Sequence, residues 1–182
     1  MIYKDERIAL FIDGPNLYAT AKKLDMDVDY KTLMSHFAQK ARLVRASYFT
    51  AICESDEFQP MRPLLDFIQY NGWNAVTKPA REFTGQDGTR KIKGNMAVEL
   101  TVEAIALAPH IDHAILFSGD RDFCALVAHL QAQGTRVSVA SSVKTSPAFI
   151  ADELRRQADA FIELDDLRDI IGRAPRTAAA AA

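Results

Sequence analysis

The chemistry within reach of this sequence rests on three aspartates, Asp13, Asp120 and Asp122. The last two stand in Ser118-Gly119-Asp120-Arg121-Asp122, directly after the apolar run Ala114-Ile115-Leu116-Phe117. Four apolar residues in succession predict a strand covered on both faces. Ser118-Gly119 breaks the run, so both acids fall just past the strand's carboxyl end. Open α/β sheets bind ligands at that edge. Asp120 alone is explained as the N-cap of the next helix, but a cap needs one carboxylate, not two. Carboxylates only accept hydrogen bonds and repel one another, so the pair predicts a cation between or beside them. Asp13 occupies the same position after Ile8-Ala9-Leu10-Phe11-Ile12. With the two strands adjacent, three acids would converge on one crevice and bind a hard divalent cation through oxygen. Asn16 reads equally well as a further ligand and as a brace for the helix that follows Asp13.

The elements that must hold these residues alternate along the chain. Strands are predicted at 8–12, 43–52, 73–78, 114–117, 136–140 and 160–162, and helices at 17–24, 30–41, 58–71, 95–108, 122–133, 149–157 and 165–171. Between 79 and 94, apolar periodicity gives way to Gly85, Gly88 and Gly94, with cations at Lys78, Arg81, Arg90, Lys91 and Lys93 in and beside the stretch, which predicts a mobile loop or hairpin. Strands separated by helices give an α/β three-layer sandwich around a central, mainly parallel sheet. It is expected as one domain over residues 1–172, with a flexible tail over 173–182. A length of 182 residues supplies a sizeable core. At 48% hydrophobic, 25% charged and a net charge of −2, the chain has no global basic field, so nucleic acid would have to meet a local patch. Cys53 and Cys124 follow no metal or disulfide spacing and read as reduced core residues. No segment reads as membrane-spanning or as a signal peptide, so the expected compartment is the cytoplasm, with no membrane contact.

Three blocks, in order, resemble the signatures of the NYN domain in its LabA-like branch. They are Phe11-Ile12-Asp13-Gly14-Pro15-Asn16, Lys93-Gly94-Asn95-Met96 and Ser118-Gly119-Asp120-Arg121-Asp122-Phe123. A fourth, Ala151-Asp152-Glu153-Leu154-Arg155-Arg156-Gln157-Ala158-Asp159, extends the likeness to nearly the whole chain. The resemblance implies the PIN-like nuclease superfold, with Mg²⁺ or Mn²⁺ held by Asp13, Asp120 and Asp122, Asn16 beside them, and hydrolysis of RNA phosphodiesters. It also implies an Asp directly after Met96, where this chain carries Ala97. Glu99, two helical residues on, points nearly opposite to Ala97 and is a poor substitute. Glu103 matches a second acidic position of the family and is expected to support the metal.

The cations fall where a phosphodiester would need them. Lys93, Lys91 and Arg90 precede the helix that starts at the cluster, and Ser118 and Arg121 flank Asp120, so these five are expected to contact RNA phosphates. Each lysine reads equally as a solvated loop charge. Phe83 is expected to stack on an unpaired base of single-stranded RNA, whereas Trp73 at a strand start is expected in the core. His36, His110, His113 and His129 show no ligand spacing and are expected in surface or packing roles. The function expected is a metal-dependent ribonuclease weakened by Ala97, and the alternative is a catalytically impaired RNA-binding or regulatory PIN-like module. Haloacid dehalogenase chemistry would need a second Asp where Pro15 stands, and a Toprim-like site leaves Asp13-Gly14-Pro15-Asn16 unexplained. Neither Gly-x-Gly-x-x-Gly nor a phosphate loop is present. A homodimer is compatible with the sequence, though nothing in it demands one.

Overall fold

The structure is a computed structural model that describes residues 1–52, 61–84 and 90–173. In chain order the elements are β1 (Arg7–Asp13), α1 (Gly14–Lys23), α2 (Tyr30–Lys40), β2 (Arg42–Ile52), α3 (Arg62–Tyr70), β3 (Asn74–Pro79), β4 (Arg81–Thr84) and β5 (Arg90–Lys93). Then come α4 (Ala97–Leu107), β6 (His113–Phe117), α5 (Cys124–Ala132), β7 (Arg136–Ser141), α6 (Asp152–Gln157), β8 (Ala160–Glu163) and α7 (Arg168–Ile171). Six strands form one all-parallel sheet in the order β3-β2-β1-β6-β7-β8. β4 and β5 form a separate antiparallel hairpin.

The apolar runs take the middle of the sheet because only there are both faces covered. Residues 8 to 12 of β1 are each 1% exposed or less, and they divide by parity. Ile8, Leu10 and Ile12 face a layer built by Leu17 and Ala21 of α1, Leu33 and Phe37 of α2, Ile68 of α3 and Ile171 of α7. Ala9 and Phe11 face the opposite layer, with Leu100 and Ala104 of α4, Leu126 and Leu130 of α5 and Leu154 of α6. The three-layer α/β architecture is therefore as expected, and Trp73 lies in the core at 4% exposure.

The chain leaves β1 toward β2 and β3, then crosses back to place β6 on β1's other side. This reversal opens a crevice beyond the carboxyl ends of β1 and β6, the position favoured for ligands in such sheets. Asp13 is the last residue of β1, and Ser118-Gly119-Asp120 directly follows β6.

Helix starts differ from the sequence reading for local reasons. α1 begins at Gly14 rather than Leu17, because the Asp13 carboxylate caps it and Pro15, lacking an N–H, suits its first turn. α6 begins at Asp152 rather than 149, because Phe149 N–H bonds to Ser142 O (3.0 Å) and Ala151 N–H to Gly119 O (2.9 Å), which ties the preceding residues elsewhere. The helix expected from 122 is a 3-10 turn over Arg121–Phe123 followed by α5, and Gly134 at φ +84° closes it. The stretch expected as a loop or hairpin contains the β4–β5 hairpin. Cys53, Gly85, Gly88 and residues 58–60 of the helix expected over 58–71 lie outside the described residues, as does the tail from 174. Arg173, its first residue, is held by a bond from its N–H to Asp27 O at 2.8 Å. Among the described residues, no helix is long and apolar enough to cross a membrane.

Candidate functional site

β1 and β6 pair in register, with Ile12 opposite Phe117, so Asp13 and Ser118 leave adjacent strand ends side by side. The half-buried Asp13 accepts a hydrogen bond at Oδ2 from the Ser118 hydroxyl (2.9 Å) and a long one at Oδ1 from the Asn16 N–H (3.4 Å). Ser118 Oγ in turn accepts from the Asp120 N–H at 3.2 Å. Asn16 Oδ1 accepts from the Gly119 N–H at 3.0 Å. The two loops are thus stitched together by side chains more than a hundred residues apart. Gly119 is required by space: a Cβ there would overlap the Phe149 carbonyl oxygen and crowd Ser141 Oγ. Asp120 caps the 3-10 turn through Oδ1, which accepts from the Asp122 N–H at 3.0 Å. Arg121 and Asp122 are exposed on that turn.

Burial raises the Asp13 pKa above the ordinary carboxylate value, and the nearby Asp120 charge adds to the rise. The Ser118 and Asn16 bonds oppose it without overcoming it. Among the described residues, no Lys, Arg or His forms an ion pair with Asp13, Asp120 or Asp122. The Cys124 thiol is also pushed up, first by burial, then by Glu153, Asp120 and Asp122. Tyr48, on β2, backs the site from the other side of β1. It lies so close to Gly14 that a Cβ there would meet its ring and hydroxyl. Its phenol is raised by burial first, with Tyr30 and the Asp13 carboxylate contributing. Sequence reasoning passed over Tyr48, since a tyrosine on a buried strand carries no signal of what it lies against.

The predicted residues separate into those the fold gathers and those it does not. Asp13 and Asp120 come together, with Asp122 on the same turn further out. Asn16 and Ser118 are engaged in positioning; Ser118 is 1% exposed, its hydroxyl shared between Asp13 and Asp120. Glu103 does not join them, contrary to the expectation that it supports the metal. Its carboxylate bonds to the Ser47 hydroxyl and to Asn74 Nδ2 (3.2 Å). Ser47 pairs with Phe11, two residues and about 7 Å back along the strand from Asp13. Six residues of α4 separate Glu103 from Ala97, a descent of about 9 Å, which carries Glu103 away from the edge. Glu99 is taken by Lys78 at 2.8 Å. Ala97 packs at the start of α4 against the layer that contains Phe11 and Phe49, with its N–H bonded to Asn95 Oδ1 at 2.7 Å.

The backbone of the predicted phosphate contacts lies at the same edge of the sheet. Ala80 N–H bonds to Ile52 O at the end of β2, and the hairpin leaves from there. In it Lys93 stands opposite Arg81, Lys91 opposite Phe83 and Arg90 opposite Thr84. The chain returns at Gly94, where a Cβ would overlap Ala51. Among the described residues, no three His, Cys, Asp or Glu side chains gather closely enough to hold an ion by themselves. A Mg²⁺-type ion does not require three, since it keeps several waters and is bound through one or two carboxylates plus substrate phosphates. Hard oxygen donors and a raised carboxyl, with no paired cation among the described residues, fit that kind of ion.

Comparison with known proteins agrees with the fold. The chain is 29% identical over 180 residues to the low amplitude and bright protein LabA of Synechococcus elongatus, covering 97% of this chain and 93% of that one. Among solved structures it resembles a Vibrio parahaemolyticus protein of unknown function, with a TM-score of 0.72 and 28% identity over 92% of this chain and 96% of the other. Residues 7–165 match the NYN domain, a span from the first residue of β1 to just past β8, and the chain therefore belongs to the NYN domain family.

Proposed function

We propose that this chain is a cytoplasmic, metal-dependent ribonuclease that hydrolyses phosphodiester bonds of single-stranded RNA at the carboxyl edge of its sheet. One observation carries the reading: a half-buried Asp13 carboxyl, raised by burial and by Asp120, with no ion pair among the described residues. Asp13 and Asp120, with Asp122 one step further out, are the residues that would hold Mg²⁺ or Mn²⁺. Bound there, the ion supplies neutralisation of phosphate charge and a lower pKa for the attacking water. The chain's own residues supply position. Ser118 and Asn16 orient Asp13 and lock the two loops, Gly119 keeps the turn against residues 149–151, and Tyr48 closes the side away from solvent. Arg121 on the exposed turn and Arg90, Lys91 and Lys93 on the hairpin bind phosphates flanking the cut, which makes affinity fall with salt.

A second reading is favoured by Ala97, a methyl at the start of α4 where the NYN pattern carries an acid. With that carboxylate missing, the chain would bind RNA and cut it poorly or not at all. Cleavage of a fluorescent single-stranded RNA in Mg²⁺ or Mn²⁺ separates the two, comparing this chain with Asp120→Asn and Ala97→Asp. Cutting by this chain that Asp120→Asn abolishes establishes the ribonuclease. Cutting by Ala97→Asp alone establishes the impaired module. Absence of cutting by all three, with RNA binding that persists without metal, overturns the catalysis and leaves the RNA-binding module.

A further inference from the structure

On the α2 side of the sheet, away from the acids, lies an open cavity of about 690 Å³. Its apolar wall is built by Ile2, Phe37, Ile162 and Leu167, and its polar lining includes Lys4, Lys40 and His36. We propose that this cavity is a binding site for a small amphipathic anion, an apolar chain or ring carrying one carboxylate or similar acid group.

Three observations support the assignment, and none concerns the nuclease edge. The volume falls within the range of pockets that enclose small ligands, and most of the wall is hydrocarbon or aromatic. Every formal charge on the lining is positive, since no Asp or Glu contributes to it. Lys4 and Lys40 are both exposed at the rim, and among the described residues neither is in an ion pair. His36 adds a buried Nε2 with no hydrogen-bond partner, a group that costs stability until something pairs with it. Burial first, then the Lys40 ammonium, pushes the His36 pKa below its ordinary value, as expected beside an uncompensated positive charge. Ser138 borders the cavity but is 1% exposed, with its hydroxyl bonded to His113 Nε2 at 2.8 Å, so anion recognition falls to the rim. The apolar body of the ligand would lie along Phe37, Ile162 and Leu167, and its acid group would reach Lys4 and Lys40 at the rim.

The test is a titration of the full chain with sodium decanoate, held below its micellar concentration and followed by two-dimensional amide NMR. A parallel titration uses decyltrimethylammonium, which has the same tail and the opposite head. Saturable shifts centred on residues 36–40 and 160–162 are expected with decanoate and not with the ammonium amphiphile. Replacing both exposed lysines, Lys4→Gln with Lys40→Gln, is expected to weaken decanoate binding roughly tenfold while the rest of the spectrum stays unchanged. The proposal is overturned if decanoate gives no saturable shifts at those residues, if both amphiphiles bind alike, or if the lysine variant binds as tightly as the parent.

Discussion

The two ends of β1 treat charge in opposite ways. At the amino end, Arg7 grips Asp112 with two guanidinium bonds (2.7 and 3.0 Å) and adds its backbone N–H at 2.8 Å. The Arg7 side chain is the main cause of the Asp112 pKa falling to about 2. Beside it, Glu6 binds Arg136 and His113 Nδ1 (3.1 Å). Burial works to raise Glu6, yet the Tyr3 N–H, His113 and Arg136 leave it lowered. His113 passes the network on to Ser138, which sits inside β7 paired to Ile115 on one side and Ala160 on the other. The order of acid, imidazole and hydroxyl looks catalytic, but Ser138 lies in mid-sheet with strands on both sides, so the network is structural. At the carboxyl end Asp13 faces a second acid and its pKa rises. One strand therefore carries a satisfied edge that serves folding and an unsatisfied edge that folding alone does not explain.

The contrast breaks most sharply at the acids. Asp13→Asn and Asp120→Asn are each expected to lower RNA cleavage roughly a hundredfold or more. Because Asn also caps helices, Asp13→Asn should leave α1 intact, and by removing a buried charge it should raise the melting temperature of the metal-free protein. A melting temperature that falls instead would contradict the reading of Asp13 as a buried carboxylate that the fold leaves uncompensated. Next in size is Gly119→Ala, where a methyl meets the Phe149 carbonyl. A loss of roughly 3 kcal/mol, read from urea unfolding, is expected.

Smaller effects distinguish the edges by pH. The Asp13 folded pKa lies above its ordinary value of 3.8, so the folded state holds a proton that the unfolded chain has released. Its contribution therefore falls as pH rises through the window above 3.8, and Asp13→Asn should remove that slope. Asp112 runs the other way: its stabilisation is present above 3.8 and is lost as pH falls toward about 2, a loss that Arg7→Met should reduce but not abolish, because the backbone N–H of residue 7 remains. Smallest of all is the half-exposed Lys78–Glu99 pair. Glu99→Gln is expected to cost about 0.5 kcal/mol and to leave cleavage unchanged.

Much of this was legible in the sequence. All six sheet strands were legible, β1 and β6 from unbroken apolar runs, and the placement of Asp13 and Asp120 at one edge follows from where those two runs stop. Gly134 marked the end of α5, whereas the start of α1 was read three residues late. What stayed hidden depends on contacts between distant residues. No local pattern shows that the Ser118 hydroxyl reaches Asp13, that Asn16 reaches Gly119, or that Tyr48 lies behind Gly14. Glu103 was misplaced because an acid at a matching position says nothing about how far α4 has descended along the sheet. Residues 149–151 read as helical, but Ser142 and Gly119 claim their backbone.

The most direct test of the account is Mn²⁺ titration followed by paramagnetic broadening of amide resonances. The account predicts that the amides of Asp13, Gly14 and Ser118 to Asp122 broaden first, and that Asp120→Asn shifts this effect to much higher Mn²⁺. Broadening that begins elsewhere, for instance at the exposed acids Asp165 and Asp166, would contradict the claim that the unpaired carboxylates of β1 and β6 form the metal centre.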